Sequence, residues 1–134
     1  MSYSCAADLQ GAIFQLLQAD PDLASAGVPV HDALPPGAPR GTYVLLGPED
    51  VIDRSDASGP GAEHRFTISV VSDAAGFSTA KRIAGRVSVL LQDPPLDLGP
   101  SRLVHMWFHQ AQARRIDGGR GRQVELRFRA RIEG

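Results

Sequence analysis

The chain of 134 residues contains one cysteine, Cys5, and one lysine, Lys81. A single cysteine excludes an intrachain disulfide and any cysteine-based metal cluster. No apolar run approaches the roughly 20 residues that span a bilayer. The N-terminus lacks the basic and apolar regions of a signal peptide. Tyr3-Ser4-Cys5 has no apolar segment before it, so it does not read as a lipoprotein cleavage site. A soluble protein made in a cytoplasm is expected. Aromatic residues are only 6% of the chain, and the formal net charge is only −1. That balance excludes a uniformly basic nucleic-acid binder and a uniformly acidic tail.

The small net charge hides a gradient. Residues 1–53 hold seven carboxylates and one arginine, residues 54–101 hold five charges of each sign, and residues 102–134 hold eight arginines and three carboxylates. The segments therefore carry −6, 0 and +5. Opposed ends of this kind attract within one chain or between neighbouring chains. Apolar residues at 43% and charged residues at 22% are ordinary globular values. The length fits one domain, 1–134, that hides roughly two-thirds of its unfolded surface.

Hydrophobic spacing sets the element order. Residues 4–19 predict a helix, with Leu9, Ile13, Leu16 and Leu17 on one face and Ser4 as N-cap. Asp20-Pro21 starts a shorter helix that stops near Gly27. Residues 28–33 predict a short strand, and 34–41 a proline-rich loop. Residues 43–53 predict a strand interrupted at Gly47-Pro48, where proline favours an edge or a bulge. A Gly-rich connection leads to a strand over 63–72. Residues 77–92 carry a helical apolar stripe, ended by Asp93-Pro94-Pro95. A strand over 102–115, a turn at 117–121 and a strand over 122–132 complete the chain. In the last strand Val124, Leu126, Phe128, Ala130 and Ile132 alternate with Gln123, Glu125, Arg127, Arg129 and Arg131. The order α-(α)-β-β-β-α-β-β argues for an α+β fold: an antiparallel or mixed sheet covered on one face by two main helices.

Catalytic and metal-binding patterns are weak. His105 and His109 have helical metal-site spacing, but on a strand they lie about 13–14 Å apart, too far for one ion. Partly buried strand histidines are expected instead. Ser55, Ser58, His64, Asp53 and Asp56 lack a nucleophile elbow or an oxyanion-hole signature. Gly59-Pro60-Gly61 and Gly118-Gly119-Arg120-Gly121 lack the Lys-Ser/Thr of a phosphate loop. No catalytic, cofactor or metal residues are assigned.

The arginine stripe is the sharpest feature. Arg127, Arg129 and Arg131 share one strand face at about 6.8 Å spacing. Neighbouring charges at that distance repel by only about 0.6 kcal/mol in water, so a plain solvated face is tolerable. A nucleic-acid surface and a protein interface are the functional readings. Phe128 falls on the apolar face, so no exposed aromatic is interleaved with the stripe as nucleic-acid binding would favour.

The ordered set of segments resembles a known family. Ser4-Cys5-Ala6-Ala7-Asp8-Leu9-Gln10 is followed by His31-Asp32-Ala33-Leu34-Pro35-Pro36-Gly37-Ala38 and Tyr43-Val44-Leu45-Leu46-Gly47-Pro48-Glu49. Asp53-Arg54-Ser55-Asp56, Gly61-Ala62-Glu63-His64 and Val70-Val71-Ser72-Asp73-Ala74-Ala75-Gly76-Phe77 come next, and Val124 to Arg131 closes the series. The succession resembles the tail-completion, or tail-terminator, family of long-tailed phages, most of all the branch of alphaproteobacterial gene transfer agents. The resemblance covers nearly the whole chain. It implies an α+β fold and a homohexameric ring that caps the tail tube and joins it to the head–tail connector or stopper. DNA would cross the lumen without sequence-specific binding. It implies no enzyme activity, no cofactor and no membrane.

Two site expectations follow. A closed ring uses two different patches on each copy. Arg127, Arg129 and Arg131, with Arg114 and Arg115, are expected to meet Glu49, Asp50 and Asp53, between subunits or within one sheet. The loop Arg54, Ser55, Asp56, Ala57, Ser58, Gly59, Pro60 and Gly61 is read in two ways: as mobile in the free protein and docking on the tail tube or a ring neighbour, or as a plain surface loop. The competing functional readings are a small nucleic-acid-binding module using the C-terminal arginine strand, and an enzyme of unknown type.

Overall fold

The computed structural model describes residues 3–34, 37, 39–57 and 59–134. Pro35, Pro36 and Ala38 of the proline-rich loop, and Ser58 of the expected docking loop, lie outside the described residues. The elements run α1 (Ala6–Gln18), α2 (Pro21–Ser25), β1 (Val30–His31), β2 (Thr42–Asp53), β3 (Gly61–Ser72), α3 (Ser78–Leu90), β4 (Arg102–Ile116), a short 3-10 turn (Asp117–Gly119) and β5 (Gly121–Glu133). The five strands form one mixed sheet in the order β1-β2-β3-β5-β4. β1 runs parallel to β2, and every other pairing is antiparallel. The α+β fold read from the sequence is the fold observed.

The period-2 pattern of β5 becomes a two-sided strand. Val124, Leu126, Phe128, Ala130 and Ile132 are buried in one core with Ile68 and Val70 of β3, Val44 of β2, and the inner faces of α1 and α3. The Phe66 and Phe128 rings stack at 5.5 Å between centroids. Such offset aromatic contact adds to simple area burial.

Several boundaries differ from expectation. α1 begins at Ala6, with Cys5 rather than Ser4 at the N-cap and no side-chain cap bond. The strand expected over 28–33 shortens to two residues. Asp20 caps α2 as expected, accepting from the Leu23 N–H at 3.1 Å, but it also accepts two bonds from Arg86 of α3 at 2.6 and 3.1 Å. Its carboxyl is held below the usual carboxylate range by that guanidinium first, and by the cap bond. One buried side chain thus ties α2 to α3.

β2 bulges between Leu46 and Glu49, as Gly47-Pro48 implied. β4 has two irregularities, between Leu103 and His105 and between Phe108 and Gln110. A bulge inserts one residue and shifts which side chains face the core. Asp93 closes the turn after α3 in a left-handed conformation, φ 45°. Its Oδ1 accepts the Met106 N–H at 2.9 Å, and its own N–H donates to the Met106 carbonyl at 3.1 Å. Those bonds hold a conformation that non-glycine residues seldom adopt.

Candidate functional site

The helices cover one face of the sheet and leave the other to polar side chains. Strand register builds that outer face in rows. One row is Asp50, Arg65, Arg129 and Trp107, crossing β2, β3, β5 and β4. The next is Ile52, Glu63, Arg131 and His105. A third joins Thr67, Arg127 and Gln110. Arg127, Arg129 and Arg131 therefore do share one face, and Arg65 stands directly opposite Arg129.

Nearby groups temper this positive charge. Arg127 donates from Nε and Nη2 to Glu125 at 3.1 and 3.0 Å, and Arg65 donates to Glu63 at 2.6 Å. Arg131 lies 3.9 Å from Glu133. Arg129 meets His109 Nε2 at 3.2 Å, while its buried Nε has no hydrogen-bond partner among the described residues. Between the β2 bulge and the bulge of β4 lies a groove of about 340 Å³, lined by Asp50, Arg65, His109, Arg127 and Arg129 among others.

The other expected interface residues divide between the two faces. Asp50 lies on the arginine side, and Arg114 lies there too, donating to Gln123 at 3.1 Å. Glu49 and Asp53 alternate with Asp50 and share rows with Phe66 and Ala62, which places them on the helix side. Arg115 pairs with Arg122 on that same side. Glu49 accepts the Tyr3 hydroxyl. The ion pairs of the stripe within this chain run to Glu125 and Glu133.

The loop between β2 and β3 is a hydrogen-bonded hairpin tip. Asp53 accepts from Ser55 N–H at 3.0 Å and from its hydroxyl at 2.6 Å. Arg54 N–H donates to the Gly61 carbonyl at 2.8 Å, and Gly61 N–H donates to Ser55 Oγ at 3.2 Å. Asp56 and Gly59 exchange backbone bonds at 3.1 and 3.2 Å. Arg131 reaches across to donate to the Arg54 carbonyl at 2.8 Å. Its guanidinium lies so close over Gly61 that a Cβ there would sit 2.4 Å from it. Sequence reading missed this tie, which joins the two expected sites through one side chain.

The histidines also depart from expectation. His105 and His109 are exposed rather than partly buried, because β4 is an edge strand. His105 stacks on Trp107 at 4.8 Å and pairs with Asp93 at 2.5 Å. His64, by contrast, is fully buried and meets the buried Cys5 thiol at 3.4 Å. Burial lowers the His64 pKa and raises that of Cys5. A neutral imidazole beside a neutral thiol is a packing arrangement, and the distant Ser55 hydroxyl is engaged by Asp53 and Gly61.

Among the described residues no group of histidine, cysteine and carboxylate side chains is placed to hold a metal ion, and no helix is long and apolar enough to cross a membrane. No curated protein matches the chain. A chain of a solved structure described as the virion of a native gene transfer agent particle is similar at 51% identity, covering 99% of this chain and 100% of that one, with a TM-score of 0.89. The family model for tail completion protein gp17 matches residues 11–133. The chain belongs to that tail completion family.

Proposed function

We propose that this chain is a structural protein of a phage-like particle of the gene transfer agent kind. In this reading it acts as one domain, 1–134, without enzymatic activity. Copies form a ring, expected to be a homohexamer, at the end of the tail tube. The ring joins the tube to the head connector, and DNA crosses its lumen. The observation that carries the reading is the 51% identity over 99% of the chain to a chain of a gene transfer agent virion. Arg114, Arg115, Arg127, Arg129 and Arg131 then face Glu49, Asp50 and Asp53 of a neighbouring copy. Residues 54–61 dock on the tail tube or on a ring neighbour.

Deleting the gene and examining particles by electron microscopy tests the reading. Filled heads separate from tails are the expected result, and normally joined particles would end it. Removing residues 57–60 tests the loop. The ladder from Asp53 to Ala62 should survive, and tail joining should fail. Joined particles carrying the shortened loop would remove the docking role alone.

The nucleic-acid reading is disfavoured because Arg65, Arg127 and Arg131 each have a carboxylate neighbour. Tight DNA binding with a steep salt dependence would restore it.

A further inference from the structure

The sheet ends in two open edges of opposite charge. On one side β4 pairs, among the described residues, only with β5, and from residue 110 to 116 that ladder runs without a bulge. Residues 110–115 are all exposed. On the other side β1 covers β2 only at Val44 and Leu45. Residues 49–53 therefore pair with β3 on their inner side and, among the described residues, have no strand on their outer side. β4 carries Arg102, Arg114 and Arg115 and no carboxylate. The open stretch of β2 carries Glu49, Asp50 and Asp53 and no cation. Arg102 is engaged by Glu133 at 2.9 Å, whereas Arg114 and Arg115 have no carboxylate partner among the described residues. The gradient along the chain has become a gradient across the sheet.

An open edge is a template for another strand, and folded proteins normally blunt it with bulges, proline or charge. Residues 110–116 have neither bulge nor proline, and Ala111 and Ala113 leave room for a second backbone. Beside this edge an apolar groove of about 550 Å³ opens between α3 and β4. Val89 and Phe108, 66% and 43% exposed, border it with Ala84, Gly85 and Ala111. A symmetric β4-to-β4 contact would bring two basic edges together. The charge pattern instead selects the acidic edge of a second copy.

Resting on the ring reading above, we propose that the 110–116 edge of one copy, with Arg114, Arg115 and the Val89–Phe108 groove, receives the 49–53 edge of the next copy. The contact is heterologous, with a different patch on each side, so repeating it closes a ring when the rotation closes. Each copy supplies one stretch of each kind, so a closed ring leaves neither of these two stretches open. Val51 and Ile52, both part-buried, supply the apolar content of the acidic edge.

Assembled particles carrying both Gln112→Cys and Asp50→Cys, treated with a short bis-maleimide, test this contact. Cys5 is buried, and unsubstituted particles serve as its control. The expected product is a covalent ladder on a denaturing gel that ends at the ring number, while each single variant stays monomeric. Dimers from Gln112→Cys alone would overturn the head-to-tail arrangement in favour of a symmetric one. No ladder in particles that hold a ring's number of copies would overturn this contact and leave the ring intact. A single copy per particle would remove the ring reading itself. Independently, Arg114→Glu with Arg115→Glu should abolish rings, and adding Glu49→Arg with Asp50→Arg should restore them. Unchanged ring yield in the double arginine variant would overturn the proposal.

Discussion

β3 and β4 come from different hairpins of one sheet and have opposite surroundings. β3 has a strand on each side and helices over one face, and eight of its twelve residues are buried with none exposed. Among the described residues β4 has a strand on one side only, and eleven of its fifteen residues are exposed. Both are long and both pair with β5 along most of their length. Pairing alone therefore does not bury a strand. What differs is the layer above: α1 and α3 reach β3 and β5, while the groove beside α3 leaves the outer part of β4 uncovered. The first region has the character of a core and the second that of a surface awaiting a partner.

Core truncation is the largest way to break that contrast. Phe128 is 1% exposed and stacks on Phe66, so Phe128→Ala should cost about 3–5 kcal/mol in urea unfolding. Phe108 touches the same ring at 6.0 Å but is 43% exposed, so Phe108→Ala should cost below about 1 kcal/mol. Equal losses would mean that β4 is as much core as β3.

Buried polar groups give the next effect, because they belong to the covered region. Asp20→Ala removes the α2 cap and its tie to Arg86, and should cost about 2 kcal/mol. The folded-state pKa of Asp20 is depressed, so its contribution is present above about pH 4, the unfolded value, and is lost as pH falls through the lower folded value. His64 acts in a different window. Burial lowers its pKa, so below about pH 6.5 the unfolded chain takes up a proton that the folded chain refuses. Stability then falls with decreasing pH until the folded pKa is reached. Unfolding free energies across pH 4–7 should flatten in His64→Leu, while Asp20→Asn should alter only the more acidic limb. An unchanged slope in His64→Leu would show that the buried imidazole does not set it.

Much of the covered region was legible in the sequence, because burial writes a period. The alternation from Val124 to Ile132 and the stripe of α3 appear where they were expected. The β4 bulges also left a signal. The core-facing residues 106 and 108 give way to 111 and 113, a change of parity across His109 that matches the register shift. Long-range polar pairs left no such signal. Asp20 meets Arg86 across 66 positions, and Cys5 meets His64 across 59. Each residue, taken alone, fits an ordinary cap, a solvated helix charge or a small core residue. The charge gradient was legible, but its division between the two sheet edges required the strand order β1-β2-β3-β5-β4.

The smallest expected effect separates neighbours within the arginine stripe. Arg131 is partly covered and donates to a backbone carbonyl of the β2–β3 tip, whereas Arg127 is exposed and pairs with Glu125 two residues away on its own strand. A hydrogen bond from a charged donor to a part-covered carbonyl contributes about 1 kcal/mol, and an exposed ion pair often less. Arg131→Gln should therefore cost about 1 kcal/mol, and Arg127→Gln below about 0.5 kcal/mol. Hydrogen exchange gives the sharper reading. The Arg54 and Gly61 amides take part in the bonds at the base of the tip, so their exchange should speed up in Arg131→Gln and stay unchanged in Arg127→Gln. Equal exchange in the two variants would mean that Arg131 does not brace the tip, and the stripe would then be a uniform face whose three arginines differ only in exposure.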